Sequence, residues 1–318
     1  PGAQGVPEMG PIMIGNGRMA EQMTQVVYNA QHKVPWHWQV PAYLVTKGIG
    51  SGLFMILSLA FGLGFIGFDG PTFLSAGFAA LIFMALTTVL LVADLERPER
   101  FLRILTRPQW KSWLGRGAYL LVAFSTLLSL WWVMDLAIWW NWIQADWMDS
   151  VRPGLFWMGL PLAFGSAVYT AFLFGQAEGR DLWQSRLLPV HLVVQAFMAG
   201  AAALLLLDTV AAVDSELVRI SRLIFGISVA SDLLVTVMGE LGMSPASETA
   251  AKAAHAISHG RFARAFWFGS IGIGHIVPLL LLAVAWSGAG ALAALLSLVG
   301  LYVYEHIFVM APQEVPNS

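Results

Sequence analysis

The sequence predicts an all-α integral membrane protein: eight transmembrane helices, arranged as two four-helix bundles related by a weak parallel repeat. Three observations carry this. Of 318 residues, 58% are hydrophobic and the mean hydropathy is +0.69. Only 11% are charged, 17 basic and 19 acidic, where a soluble domain carries about a quarter. Eight windows reach the ~20 apolar residues that a bilayer core demands. They run too continuously for the alternating segments of an outer-membrane barrel.

The elements follow in order. Residues 1–40 form an arm with Pro1, Pro7 and Pro11, then a more helical stretch over 19–31. No charged n-region followed by an apolar core precedes the first span, so no signal peptide is expected. The absent initial Met points to a processed or renumbered start. Windows at 41–66, 71–93, 117–140 and 154–175 make the first bundle, over 41–175. Those at 187–211, 217–239, 266–286 and 289–310 make the second, over 176–311, and 312–318 is a tail. Connections are short except 94–116 and 240–265. Tyr43-Leu44-Val45-Thr46-Lys47 with Gly52 matches His191-Leu192-Val193-Val194-Gln195 with Gly200, an offset of 148 residues. Arg116 falls on Arg264 at the same offset, and Asp94 falls close to Glu240. Four spans per unit give both units the same orientation.

Composition excludes several classes. The net charge of −2 speaks against a nucleic-acid binder, and the apolar content against a soluble enzyme or a disordered chain. With no cysteine, the chain can hold no disulfide, thiolate-bound iron–sulfur cluster, Cys-rich zinc site or c-type haem. The 14 Trp and 31 Gly suit interfacial belts and close helix crossings.

Basic residues gather on one side. The loop 94–116 carries Arg97, Arg100, Arg103, Arg107, Lys111 and Arg116. The same side has Arg18, Lys33, Arg180, Arg186, Lys252, Arg261 and Arg264; the opposite side has Arg152, Arg219 and Arg222. The positive-inside rule then puts both termini of a multi-pass inner (cytoplasmic) membrane protein in the cytoplasm.

Ionisable side chains inside spans are functional candidates by default. They are Lys47, Asp135, His191, Asp208, Asp232, His275, Glu305 and His306, with Asp94 and Glu240 at span ends. Asp135 and Asp208 lie towards the far face and have an interfacial reading. Lys47, His191, Asp232, Glu305 and His306 fall in the half nearer the basic loops, and His275 close to mid-depth. Tyr43 and Lys47 share a helical face, with His37 ahead of them and Gly48, Gly50 and Gly52 behind. Tyr, His and Lys beside an apolar slot give a quinone headgroup its hydrogen bonds and a proton route. Belt residues and a snorkelling lysine are the competing reading. His191, Asp232, His275, Glu305 and His306 are proton-relay candidates. His191 with His306 would be the pair for a haem b, although a membrane histidine more often packs or relays protons. His255 and His259 have the i, i+4 spacing of a zinc pair, without a third ligand; a solvated helix face explains them.

The run Asp94-Leu95-Glu96-Arg97-Pro98-Glu99-Arg100-Phe101, followed by Pro108, Trp110 and Trp113 before span 3, resembles the hallmark of the NrfD-like family of polysulfide-reductase membrane subunits. The first span, from Pro41 to its small residues, is similar to that family's opening helix. The resemblance covers spans 1 to 3 well and the remainder by hydropathy. It implies a haem-free, quinone-reactive subunit (menaquinone or ubiquinone) that is not catalytic alone. It also implies docking to a 4Fe–4S iron–sulfur subunit, usually beside a molybdopterin catalytic subunit. Carried onto this sequence, it favours His37, Tyr43, Lys47 and Asp94 for the quinone. Arg97, Arg100, Arg103, Arg107 and Trp110 then become a docking face as well as a topology signal. The competing functions are a secondary transporter or ion-translocating subunit and, third, a haem b cytochrome.

Overall fold

The computed structural model describes residues 36–315 apart from 96–98, 100, 108, 145, 178, 243 and 244. Most of the N-terminal arm, Arg97 and Arg100 therefore lie outside the described residues. Eight helices among those described are long and apolar enough to cross a membrane. Spans 1 to 4 are Gln39–Gly62, Gly70–Ala93, Trp113–Trp139 and Met148–Gly175; spans 5 to 8 are Leu188–Leu207, Ser215–Gly239, Ala265–Leu282 and Ala289–Glu314.

Local chemistry sets several boundaries. Asp69 caps span 2 by accepting from the Thr72 N–H (3.0 Å), with Pro71 in the first turn, where its missing donor costs nothing. Asp214 does the same for span 6 through Leu217 (2.9 Å). Span 4 starts at Met148, earlier than its hydropathy suggests, and Pro153 lies inside it. Its second proline, Pro161, is interior, where neighbouring helices can satisfy the freed carbonyl. Two stretches leave the α register altogether: Val235–Glu240 in span 6 and Ala265–Ile276 in span 7 are π-helical. Periodicity predicts neither.

Spans 1 and 5 form the centre. Of their apolar stretches 83% and 67% are buried, against 33% for spans 2, 6 and 7 and 28% for span 3. Span 1 packs on spans 2, 4, 5 and 8, and span 5 on spans 1, 4, 6 and 8. The central pair crosses at Gly52 and Gly200. A Cβ on Gly52 would sit 1.8 Å from the Ala196 carbonyl oxygen, and one on Gly200 2.2 Å from the Gly52 carbonyl carbon. Lipid gives helices no hydrophobic reason to associate, so backbone contact of this kind supplies the attraction. Gly274 and Gly300 bring spans 7 and 8 together in the same way.

The far half of spans 1 to 4 is filled by aromatic rings. Phe54, Phe73, Trp131 and Phe156 pack with centroids 4.8–6.5 Å apart. Beneath them Asp135 is buried rather than interfacial. It accepts from Trp131 Nε1 (2.6 Å) and pairs with Arg152 (2.8 Å). Asp208 is exposed. At the basic face Arg180 donates to the carbonyls of Pro312 and Val315, and Trp183 Nε1 to that of Phe308 (2.9 Å). Gln313 exchanges two hydrogen bonds with the Trp36 backbone (3.1 and 3.0 Å). These contacts carry span 8 to Glu314, past the apolar window at 289–310, and tie its end to the start of span 1.

Candidate functional site

Two polar clusters lie in the half of the membrane nearer the basic loops. The first surrounds span 1. Lys47 is 1% exposed and does not snorkel. Its Nζ donates to Thr170 Oγ1 of span 4 and lies 4.9 Å from the Tyr169 ring centroid. The opposite charge acting on it is Glu305 of span 8. One turn towards the basic face, Tyr43 is buried and feels both Asp94 and Glu305. Gly48 faces span 5, where Ala199 and Ala196 approach it, and the hydroxyls of Thr46 and Thr87 meet at 2.9 Å.

Asp94 follows the last residue of span 2 as its C-cap. The backbone N–H of His37 donates to its carboxylate. Burial pushes the carboxyl up to about 6, against the opposing pull of His37. A proton can therefore be gained or lost there near neutral pH. His37, Tyr43 and Asp94 thus come together although Asp94 follows another helix, while Lys47 lies a turn deeper with Thr170 and Tyr169 and under the charge of Glu305 rather than that of Asp94.

Around Tyr43, and among the described residues, three buried polar atoms have no hydrogen-bond partner: Gln39 Oε1, Asp94 Oδ1 and the Tyr169 hydroxyl. Buried polar groups are normally satisfied, and an exception calls for a ligand, a water or a catalytic role. Sequence reasoning misses Tyr169 and Thr170. The available signal is on span 3: a Cβ on Gly117 would lie 2.1 Å from the Tyr169 ring, so a glycine makes room for that tyrosine.

The second cluster joins spans 5, 6 and 7. Both oxygens of the buried Asp232 carboxylate are engaged: His191 Nε2 lies 2.8 Å from Oδ1, and His275 Nε2 2.7 Å from Oδ2. Gln195 and Thr236 approach His191 Nε2 at 3.2 and 3.4 Å, and the Tyr304 hydroxyl lies 3.5 Å from Nδ1. Of the five proton-relay candidates, His191, Asp232 and His275 meet here. Glu305 belongs with Lys47 instead. His306 stands apart, half-buried, its ring 6.3 Å from that of Tyr302. The contact of His191 Nε2 with Asp232 also turns it from the haem arrangement with His306.

On the basic face Arg103, Arg107 and Trp110 are exposed. Trp110 stacks on Tyr119 (5.1 Å) and its carbonyl accepts from Arg116 Nε (2.6 Å), which fixes the loop against span 3. His255 and His259 stack on an exposed helix face. Among the described residues no group of three His, Asp or Glu could hold a metal ion.

The family model described as "Polysulphide reductase, NrfD" matches residues 26–316. The chain belongs to the NrfD family. It is 24% identical over 317 residues to Protein NrfD of Escherichia coli (strain K12), covering 92% of this chain and 99% of that protein. The match runs through both polar clusters, so both lie on the shared NrfD framework. A membrane-subunit role follows from that family and from the eight spans.

Proposed function

We propose that this NrfD-family chain is a haem-free membrane anchor that exchanges electrons between the quinone pool and the 4Fe–4S cluster of a docked partner. The partner would in turn serve a molybdopterin catalytic subunit. The single observation that carries this is the set of unpartnered buried polar atoms around Tyr43, with Asp94 able to exchange a proton near neutral pH. A bound quinone would supply two-electron, two-proton redox chemistry at its carbonyl oxygens. The Tyr169 hydroxyl and protonated Asp94 would donate to those oxygens, His37 would orient Asp94, and Lys47 with Glu305 would set the local field. A groove of about 380 Å³ between spans 2 and 3, walled by Leu91 and Ala118 with the hydroxyls of Thr88 and Ser125, would take an isoprenoid tail.

In this reading the chain consists of two parallel four-helix units, 41–175 and 176–311. The crossing of equivalent glycines, Gly52 and Gly200, supports it. Both termini face the cytoplasm of the inner membrane. Arg97, Arg100, Arg103, Arg107 and Trp110 meet the iron–sulfur partner.

Tagged chain purified from its native membrane tests the proposal. Iron, acid-labile sulfide and a cysteine-rich subunit should co-purify, and quinone-linked turnover should fall at least tenfold in Asp94→Asn. A chain that purifies alone and transports a solute would replace this reading with the transporter.

A further inference from the structure

The cluster on spans 5 to 7 has a feature that electron exchange at span 1 does not require. The Nδ1 of His275 lies 2.8 Å from the Ser270 carbonyl oxygen. A carbonyl only accepts, so Nδ1 carries a hydrogen. The Nε2 of the same ring lies 2.7 Å from Asp232 Oδ2. Two bare lone pairs would repel at that distance. Either Nε2 is also protonated and the ring is an imidazolium, or the proton sits on Oδ2. In both cases the pair holds one proton more than a neutral histidine beside a carboxylate. Both side chains are buried away from water and lipid. An uncompensated carboxylate is expensive there, so the extra proton is what makes the site electroneutral.

A cavity on the basic face lies one helical turn from the cluster. His191 occupies the other oxygen of Asp232 and is the member of the cluster nearer the basic face. Its backbone N–H donates to the Leu187 carbonyl one turn above (2.9 Å), and Thr236 beside it lies three residues before Gly239. Leu187 and Gly239 line the floor of a cavity of about 470 Å³ on the basic face, under the helix Glu248–Ser258. Asp181, Arg186 and Ser247 give its wall polar groups. A Cβ on Gly239 would meet Leu187 Cδ1 at 2.8 Å, so the glycine lets the Leu187 side chain close on span 6 at that point. Both π-helical stretches border the cluster: Val235–Glu240 holds Thr236 and Gly239, and Ala265–Ile276 holds Ser270 and His275. Such turns are rare and concentrate at functional sites. Here the wider turn lets His275 fold back onto the carbonyl five residues earlier.

We infer that His191, Asp232 and His275 form a one-proton binding site, loaded from the basic face through the cavity floored by Leu187 and Gly239. The groups around the bound proton are His191 and Gln195 from span 5, Asp232 and Thr236 from span 6, and the Ser270 carbonyl from span 7. Span 8 adds Tyr304, which faces His191. The next residue, Glu305, exerts its charge on Lys47 of span 1. The site stands whether or not a quinone binds at span 1.

The test uses the full chain in its purified complex, in lipid nanodiscs at pH 8, where exposed histidines (pKa about 6.5) are neutral. ¹⁵N-histidine NMR should show one persistent imidazolium, or infrared spectroscopy one protonated buried carboxyl. That signal should disappear in Asp232→Asn and survive in Asp232→Glu. Absence of both signals from the unmodified chain would overturn the stored proton, with no variant needed. For the route, Ala254→Cys in this cysteine-free chain is modified with a bulky maleimide. Deuterium exchange at the signal should slow at least tenfold relative to the unmodified Ala254→Cys protein. An unchanged rate would overturn loading through this cavity.

Discussion

The two polar clusters use similar residues and differ in how their carboxylates are met: Asp232 by two histidines, Asp94 by a backbone N–H. Around Asp232, a histidine Nε2 stands within 2.8 Å of each carboxylate oxygen, at ion-pair distance, and the other ring nitrogens of His191 and His275 face the Tyr304 hydroxyl and the Ser270 carbonyl. Around Tyr43, the Tyr169 hydroxyl and Asp94 Oδ1 are buried without a hydrogen-bond partner. The two histidines hold the Asp232 carboxylate from both sides, whereas Tyr169 and Asp94 have hydrogen-bonding capacity left for something that arrives. A third buried group, Asp135 with Arg152 and Trp131, lies at the far end of the first four spans and has only a structural part to play.

The largest expected effect belongs to that third group. Arg152→Met should cost about 3–5 kcal/mol, because it leaves a buried carboxylate unpaired. Arg152→Met with Asp135→Leu should recover most of the loss. Unfolding in detergent measures both, and a harmless single variant would remove the structural member of the comparison.

Next come the open cluster's own residues. Tyr169→Phe, Tyr43→Phe and His37→Ala should each lower quinone-linked turnover at least tenfold, about 1.4 kcal/mol of barrier, with dye-linked activity of the partner intact. Lys47→Met should also impair turnover, by loss of both the Thr170 contact and the charge opposite Glu305. Native quinone kinetics in all four would move the site away from span 1.

A smaller effect sharpens the role of Asp94. Its folded pKa of about 6 lies above the ordinary carboxylate value. The native state therefore holds the proton more tightly than the unfolded chain. The stabilisation is complete at acid pH and is lost as pH rises through about 6. Asp94→Asn should flatten stability between about pH 4 and 6, and should remove a break near pH 6 from the turnover profile. A break that survives in Asp94→Asn belongs to another group.

The smallest effect is at the surface. Arg103→Glu with Arg107→Glu should weaken partner docking about tenfold at low salt and less at high salt, since exposed charges are screened. Affinity independent of both charge and salt would free this loop from docking.

How much of this is legible in the sequence depends on which kind of signal carries it. Long apolar runs make the eight spans visible, and i, i+4 spacing puts Tyr43 and Lys47 on one face. Tyr169 and Thr170 are hidden because a hydroxyl near a span end also suits an interface. Glu305 and His306 look equivalent from depth alone. Successive helical residues point about 100° apart, and only Glu305 turns towards Lys47. His191, Asp232 and His275 are some forty residues apart in sequence, so their meeting is a tertiary fact. The π-helices leave no trace in hydropathy.

The most direct test of the open cluster is the affinity of a short-chain quinone for the purified complex, read by isothermal titration in the unmodified protein and in Tyr169→Phe, Asp94→Asn and Asp232→Asn. The account predicts affinity about tenfold weaker in the first two variants and unchanged in the third. Unchanged affinity in both Tyr169→Phe and Asp94→Asn would contradict it.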